Sequence, residues 1–214
     1  MTVMASMRFI LILVPIAIFA CNDAKKITIK DNSGANIEEY HVIHDSIKHG
    51  TYTSYHPSGK IKESSTYTNG MLTGIRNIYF TNGRPDVIET YDSKGKLNGP
   101  YMQYFENGNI QVEKTYTENT LTGIMKIYYP DGKIKEVVTM VENEENGPFQ
   151  EYYQNGKIHW KGNYRNGDQE FGILHEYDST GAILKIMKCD TMAICTTIWK
   201  SGMPAINTDT VKYE

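Results

Sequence analysis

The chain is a succession of short alternating runs, each closed by glycine. Residues 133–140 read Lys-Ile-Lys-Glu-Val-Val-Thr-Met, β-branched and alternating. Apolar residues at i, i+3, i+4 and i+7 would mark an amphipathic helix, and in the repeat region glycines recur too often for such a pattern to run on to helix length. The glycines themselves are periodic. Gly50, Gly74, Gly99, Gly123, Gly147 and Gly172 are 24 or 25 residues apart. A second glycine follows each by nine residues: Gly59, Gly83, Gly108, Gly132, Gly156 and Gly181. A tyrosine stands five residues after each leading glycine: Tyr55, Tyr79, Tyr104, Tyr128, Tyr152 and Tyr177. A fixed period of this length marks an array of supersecondary units.

Each unit reads as a β-hairpin. Asn82-Gly83, Asn107-Gly108, Asp131-Gly132 and Asn155-Gly156 predict type I′ turns, which need positive φ at both central residues. The return strands carry Ile61, Pro85, Ile110, Ile134, Ile158 and Ile183, then Tyr67, Tyr91, Tyr116, Met140, Tyr164 and Cys189. The predicted fold is all-β: an elongated single-sheet antiparallel meander of about six 24-residue hairpins. Residues 36–49 read as an N-terminal capping strand, 50–189 as the six repeats, and 190–214 as a degenerate C-terminal cap around Trp199 with a frayed tail. In the outgoing strands, positions two, four and six after the leading glycine should share one face: Tyr101, Gln103 and Phe105; Met125, Ile127 and Tyr129; Phe149, Glu151 and Tyr153. The invariant tyrosine should point the other way.

The N-terminus is an address rather than part of that array. Arg8 precedes the apolar run Phe9–Ala20, too short to span a bilayer core of about 30 Å and suited to the hydrophobic region of a secretory signal. Met4 or Met7 would serve as the start as well as Met1. The run ends at Ala20-Cys21, with Ile18 and Phe19 before it, and so resembles a bacterial lipobox in which Phe19 is bulkier than usual. The resemblance implies a signal peptide over 1–20, acylation of Cys21, and a lipidated tether over 21–35. The expected location is the cell envelope, at the outer membrane or surface of a Gram-negative bacterium. The chain would touch the membrane through its lipid, because two or more acyl chains make attachment stable.

Composition fits this picture and excludes others. Hydrophobic residues make up 40%, below the roughly 45–50% of ordinary globular domains, and tyrosine is the dominant aromatic. The net charge is −3, which gives no electrostatic footprint for nucleic acid. Cleavage would remove Arg8 and leave the chain more acidic.

Candidate chemistry is sparse. Cys189 and Cys195 close a short loop, and an export signal permits a disulfide between them; the alternative is two reduced cysteines within a sheet. No second cysteine pair or matched histidine pair signals zinc. His41, His44, His49 and His56 cluster near the cap, but His41 and His44 would face opposite sides of a strand. Glu151 and Glu176 occupy equivalent positions in adjacent repeats, with a return strand between them that sets them on the order of 10 Å apart. No nucleophile elbow, metalloprotease helix or phosphate-binding loop is present. Neither a cofactor nor a resident metal is expected, and the chain does not read as an enzyme. The aromatic row Tyr101, Phe105, Tyr129, Phe149, Tyr153 and Trp160 is the candidate binding surface, because interfaces favour tyrosine and tryptophan.

The unit Gly-x-aromatic-x-x-Tyr-Tyr-x-Asn-Gly-Lys-Ile, best seen in residues 147–158, resembles the MORN-repeat variant. The likeness covers roughly residues 45–190, and Gly172–Gly181 is its weakest copy. It implies a repeat scaffold for protein–protein contact. Such chains often carry the label of toxin–antitoxin-system antitoxins, which makes an antitoxin or immunity role one alternative. A cell-surface glycan-binding module, with Gln103 and Asn107 as acceptors beside the aromatics, is the other.

Overall fold

The computed structural model describes residues 24–208; the expected signal segment, residues 1–20, and Cys21 lie outside the described residues. Sixteen strands form a single antiparallel sheet. They are β1 (Lys25–Lys30), β2 (Asn36–Ile43), β3 (Ile47–Tyr55), β4 (Ile61–Thr68), β5 (Met71–Tyr79), β6 (Pro85–Tyr91), β7 (Leu97–Tyr104) and β8 (Ile110–Thr117). They continue as β9 (Thr120–Leu121), β10 (Gly123–Tyr128), β11 (Ile134–Val141), β12 (Glu144–Tyr152), β13 (Ile158–Arg165), β14 (Gln169–Tyr177), β15 (Ile183–Cys189) and β16 (Cys195–Lys200). Spatial order follows chain order, with β8 pairing both β9 and β10. Short turns allow nothing else, since each strand must return beside its predecessor.

Two details differ from the sequence reading. Residues expected to be tether contain β1, whose Lys-Lys-Ile-Thr-Ile-Lys alternation pairs it with β2 from Lys25↔Val42 onward. The expected capping strand is also two pieces, β2 and the start of β3, separated by a turn with positive φ at His44 and Asp45.

The turns are of two kinds, and the assignment of type I′ falls on the other set. At Asn82-Gly83, Asn107-Gly108, Asp131-Gly132 and Asn155-Gly156 only the glycine has positive φ. The Gly83 N–H donates to the Phe80 carbonyl at 2.8 Å, and the Phe80 N–H to the Arg84 carbonyl at 2.9 Å. The same pair of bonds recurs at Phe105, Tyr129 and Tyr153. This is a type I turn followed by a left-handed glycine, the three-residue hairpin loop with a bulge. The two-residue type I′ geometry belongs to the opposite rim, at Asn69-Gly70, Glu118-Asn119 and Glu142-Asn143, where both φ values are positive.

Side chains bind neighbouring hairpins together along the first rim. Asn107 accepts from the Asn109 N–H at 2.9 Å and donates to the Pro130 carbonyl of the next turn at 2.7 Å. Asn82 and Asn155 donate in the same way to Glu106 and Ser179. The repeated asparagine therefore shapes its own turn and holds the following one.

Burial is concentrated in one place. Leu121, Val138, Met140, Phe149, Leu174 and Cys189 form a cluster, and Val138, Leu174 and Cys189 have no exposed surface. A single layer buries such residues only when side chains on the same face close over them; Tyr116, Met125, Trp160, Tyr164 and Met187 pack against the cluster in this way. Gly162 makes room for them. A Cβ there would stand 2.7 Å from Leu174 Cγ and 3.0 Å from Phe149 Cε1. At the C-terminal end Cys189 and Cys195 are joined by a disulfide across β15 and β16. The Trp199 indole donates to the carbonyls of Met203 and Pro204, folding the following segment back.

Candidate interaction face

Residues opposite each other in antiparallel register share a face, and this defines one continuous surface. Its centre is the row two residues after each leading glycine: Tyr52, Arg76, Tyr101, Met125, Phe149 and Leu174. Opposite these stand Ser65, Glu89, Lys114, Val138, Gly162 and Met187 on the return strands.

Polar and aromatic groups fill the first three repeats of this face. The Arg76 guanidinium donates to both oxygens of Glu63 at 2.9 Å and to Glu89 at 3.2 Å. Those two carboxylates raise the Arg76 pKa further above its ordinary value, against the opposing effect of burial. Tyr91 donates to Glu89 at 2.8 Å, and burial with that bond pushes its phenol up to about 12. The Lys48 ammonium sits over the rings of Tyr40, Tyr52 and Tyr67, 4.4 to 5.1 Å from their centroids. Lys114 lies over Tyr101 and Tyr116. Such contacts are worth about 0.5–1 kcal/mol each where water reaches them.

The last three repeats fill the same positions differently. Phe149, itself part of the apolar cluster, stacks on Tyr164 with centroids 4.1 Å apart. Trp160, Tyr164, Met125 and Met187 are half-buried and form the layer that meets solvent. Around them stand Glu136, Glu145, Glu151 and Glu170. Glu136 opposes Glu151, Glu145 opposes Met140, and Glu170 opposes Tyr164. Burial, then neighbouring acids, raises the carboxyl pKa of Glu136, Glu145 and Glu170. Burial and the same four carboxylates push the Tyr164 phenol well above its ordinary range.

The six residues proposed from sequence divide between two places. Tyr101, Phe149 and Trp160 lie on this face, with Phe149 buried as part of the floor. Phe105, Tyr129 and Tyr153 begin the turns of the first rim. There the Tyr129 hydroxyl donates to the Tyr152 carbonyl at 2.7 Å, and Tyr153 to the Tyr177 carbonyl at 2.8 Å. These two tyrosines clamp consecutive hairpins. The alternation that placed them on the face fails because every hairpin shifts register beside its loop, as between Glu151 and Tyr152. Tyr164, Glu136, Glu145 and Glu170 were missed. The signal for Glu145 and Glu170 lies two residues before the leading glycine, where Leu72, Leu97 and Leu121 give way to these acids.

Other candidates settle into local roles. His41 contacts Thr51, the His49 Nδ1 accepts from the Asn69 N–H, and His56 bonds the Tyr79 carbonyl. Among the described residues, three potential metal ligands converge at Glu170, Cys189 and Cys195, and these cysteines are disulfide-bonded. Glu151 and Glu176 flank Trp160 in register, and Glu176 pairs with Lys185 at 3.1 Å. Asn107, a candidate sugar acceptor, has both ends of its amide engaged in the turn ladder. A depression of about 530 Å³ lies beside Asn146, Asn163, Arg165, Phe171 and Ile173. The opposite face of the sheet carries an exposed row of Ile75, Pro100, Ile124 and Pro148 beside Thr90, Thr115 and Thr139.

Four segments, residues 48–69, 97–118, 121–142 and 145–166, match the family model for the MORN repeat variant. Each contains one hairpin bounded by turns of the second rim. The chain is thus similar to that family over four of its repeats, and it is built as a repeat scaffold. A comparison with curated proteins finds no match.

Proposed function

We propose that this chain is a non-enzymatic repeat scaffold of the bacterial cell envelope, anchored through lipid on Cys21, that binds a protein partner through the face of repeats four to six. One observation carries the reading. Trp160, Tyr164, Met125 and Met187 meet solvent together above a fully buried apolar floor. Tryptophan, tyrosine and methionine are the residues enriched at protein interfaces, and a rigid floor limits the ordering cost of binding. The export segment and Cys21 supply the location, and the sheet beginning at β1 supplies the presented surface.

The test is affinity purification of the tagged full-length chain from its host in mild detergent, with Cys21→Ser and Trp160→Ala forms in parallel. The expected result is a stoichiometric protein partner that Trp160→Ala loses, and a shift of Cys21→Ser from the membrane to the soluble fraction. Recovery of the chain alone would sink the partner reading. An unchanged location of Cys21→Ser would sink the anchor.

A further inference from the structure

Half-buried carboxylates on this face are treated in two ways. In the first repeats Glu63 and Glu89 share Arg76. In the later ones Glu176 pairs with Lys185, but Glu136, Glu145 and Glu170 form no ion pair among the described residues, and Glu151 has only His159, 3.8 Å away. The Cys195 sulfur lies 3.3 Å from Glu170, a contact that brings no positive charge. Partial burial without a cation is unfavourable for a carboxylate. The arrangement also surrounds the aromatic and methionine surface described above, so charge and apolar area coincide.

We infer that repeats four to six form a docking face for a cationic protein segment, one whose lysine or arginine side chains meet Glu136, Glu145, Glu151 and Glu170 while its apolar side chains cover Trp160, Tyr164, Met125 and Met187. This rests on the scaffold reading and specifies the partner's chemistry. Charge complementarity selects the occupant: an anionic lipid surface or a nucleic acid would be repelled, and a neutral partner would leave the carboxylates desolvated and unpaired. Arginine suits the site especially, since its planar fork matches carboxylates and stacks on aromatic rings.

The experiment is calorimetric titration of the mature chain, carrying Cys21→Ser for solubility, with a synthetic peptide of lysine and leucine. A peptide of glutamate and leucine in the same pattern is the control. The lysine peptide should saturate at one per chain, and the glutamate peptide should not bind. Affinity should fall about tenfold or more when Glu136→Gln, Glu145→Gln and Glu170→Gln are combined, and fall similarly in high salt. A matched set of distant neutralisations, Asp45→Asn, Glu106→Gln and Glu118→Gln, should change it less than about twofold, because exposed charges beyond a Debye length are screened. Absence of saturable binding, or equal loss in both sets, overturns the inference. Thermal melts of each variant check the fold. A native partner that the triple glutamine variant still retains would overturn the cationic specificity and leave the scaffold standing; no native partner at all would remove the scaffold itself.

Discussion

Repeats one to three and four to six use one backbone and fill it with opposite chemistry. The first half is a polar zipper: Arg76 between two glutamates, Lys48 over three tyrosines, and buried Ser54 and Ser65. The second half is a small apolar core on one side of a single sheet. Glycine spacing and turn chemistry hold the hairpin, so the face is free to vary. Stability in such arrays is close to additive in neighbouring units, which lets one half carry more of it than the other.

The contrast can be broken from the apolar side first. Leu174→Ala should destabilise by about 2–5 kcal/mol, the range for emptying a close-packed site, and urea unfolding followed by circular dichroism would show it. Arg76→Ala should cost less, about 1–3 kcal/mol, because the stranded Glu63 and Glu89 keep some access to water. Adding Glu63→Gln and Glu89→Gln should recover part of that loss; no recovery would mean the network is incidental. Gly162→Ala should cost about 1–3 kcal/mol through overpacking against Leu174 and Phe149, and an unchanged melting curve would show that the cluster is looser than described. Gly132→Val, at φ 85°, should cost about 1–3 kcal/mol in the turn common to both halves.

The smallest effect concerns pH and should separate the halves. Glu136, Glu145 and Glu170 have folded pKa values raised by burial and by neighbouring acids. Lys135 beside Glu136 and Lys185 near Glu170 oppose this only in part. The folded state therefore binds more protons, and stability falls as pH rises from the ordinary glutamate value through the raised one. Mild acidification should increase hydrogen-exchange protection in β11 to β14. Carboxylates with lowered values, such as Glu113 beside Tyr128 and Lys126, act in the opposite sense and lose their contribution in acid. A uniform response along the chain would contradict the division.

Most of the architecture was legible in the sequence because glycine marks backbone conformation directly. Six glycine pairs at one spacing leave little choice but hairpins. The turn type was misread because Asn-Gly alone does not fix loop length; the pairing Tyr104↔Ile110 does, and only register reveals it. The tether reading overlooked β1, where three lysines obscured an alternating strand, although lysines are a common guard for an exposed edge. At the candidate face, aromatic residues were visible and their partition was not. Strict alternation cannot foresee the bulge beside each loop that turns Tyr129 and Tyr153 into clamps. The glutamates were overlooked because a charge in sequence reads as solvated, and burial is a property of neighbours.

The asparagine rungs along the first rim have a consequence for size. Each reaches from one turn to the next and no farther, so the rim imposes no total length. At roughly 4.8 Å per strand, the sheet extends on the order of 70 Å, and removing a hairpin in register would shorten it by about 10 Å. Chains with different numbers of hairpins would share the same rim contacts and differ in span, so the distance from β1 to the face of repeats four to six is adjustable by whole units.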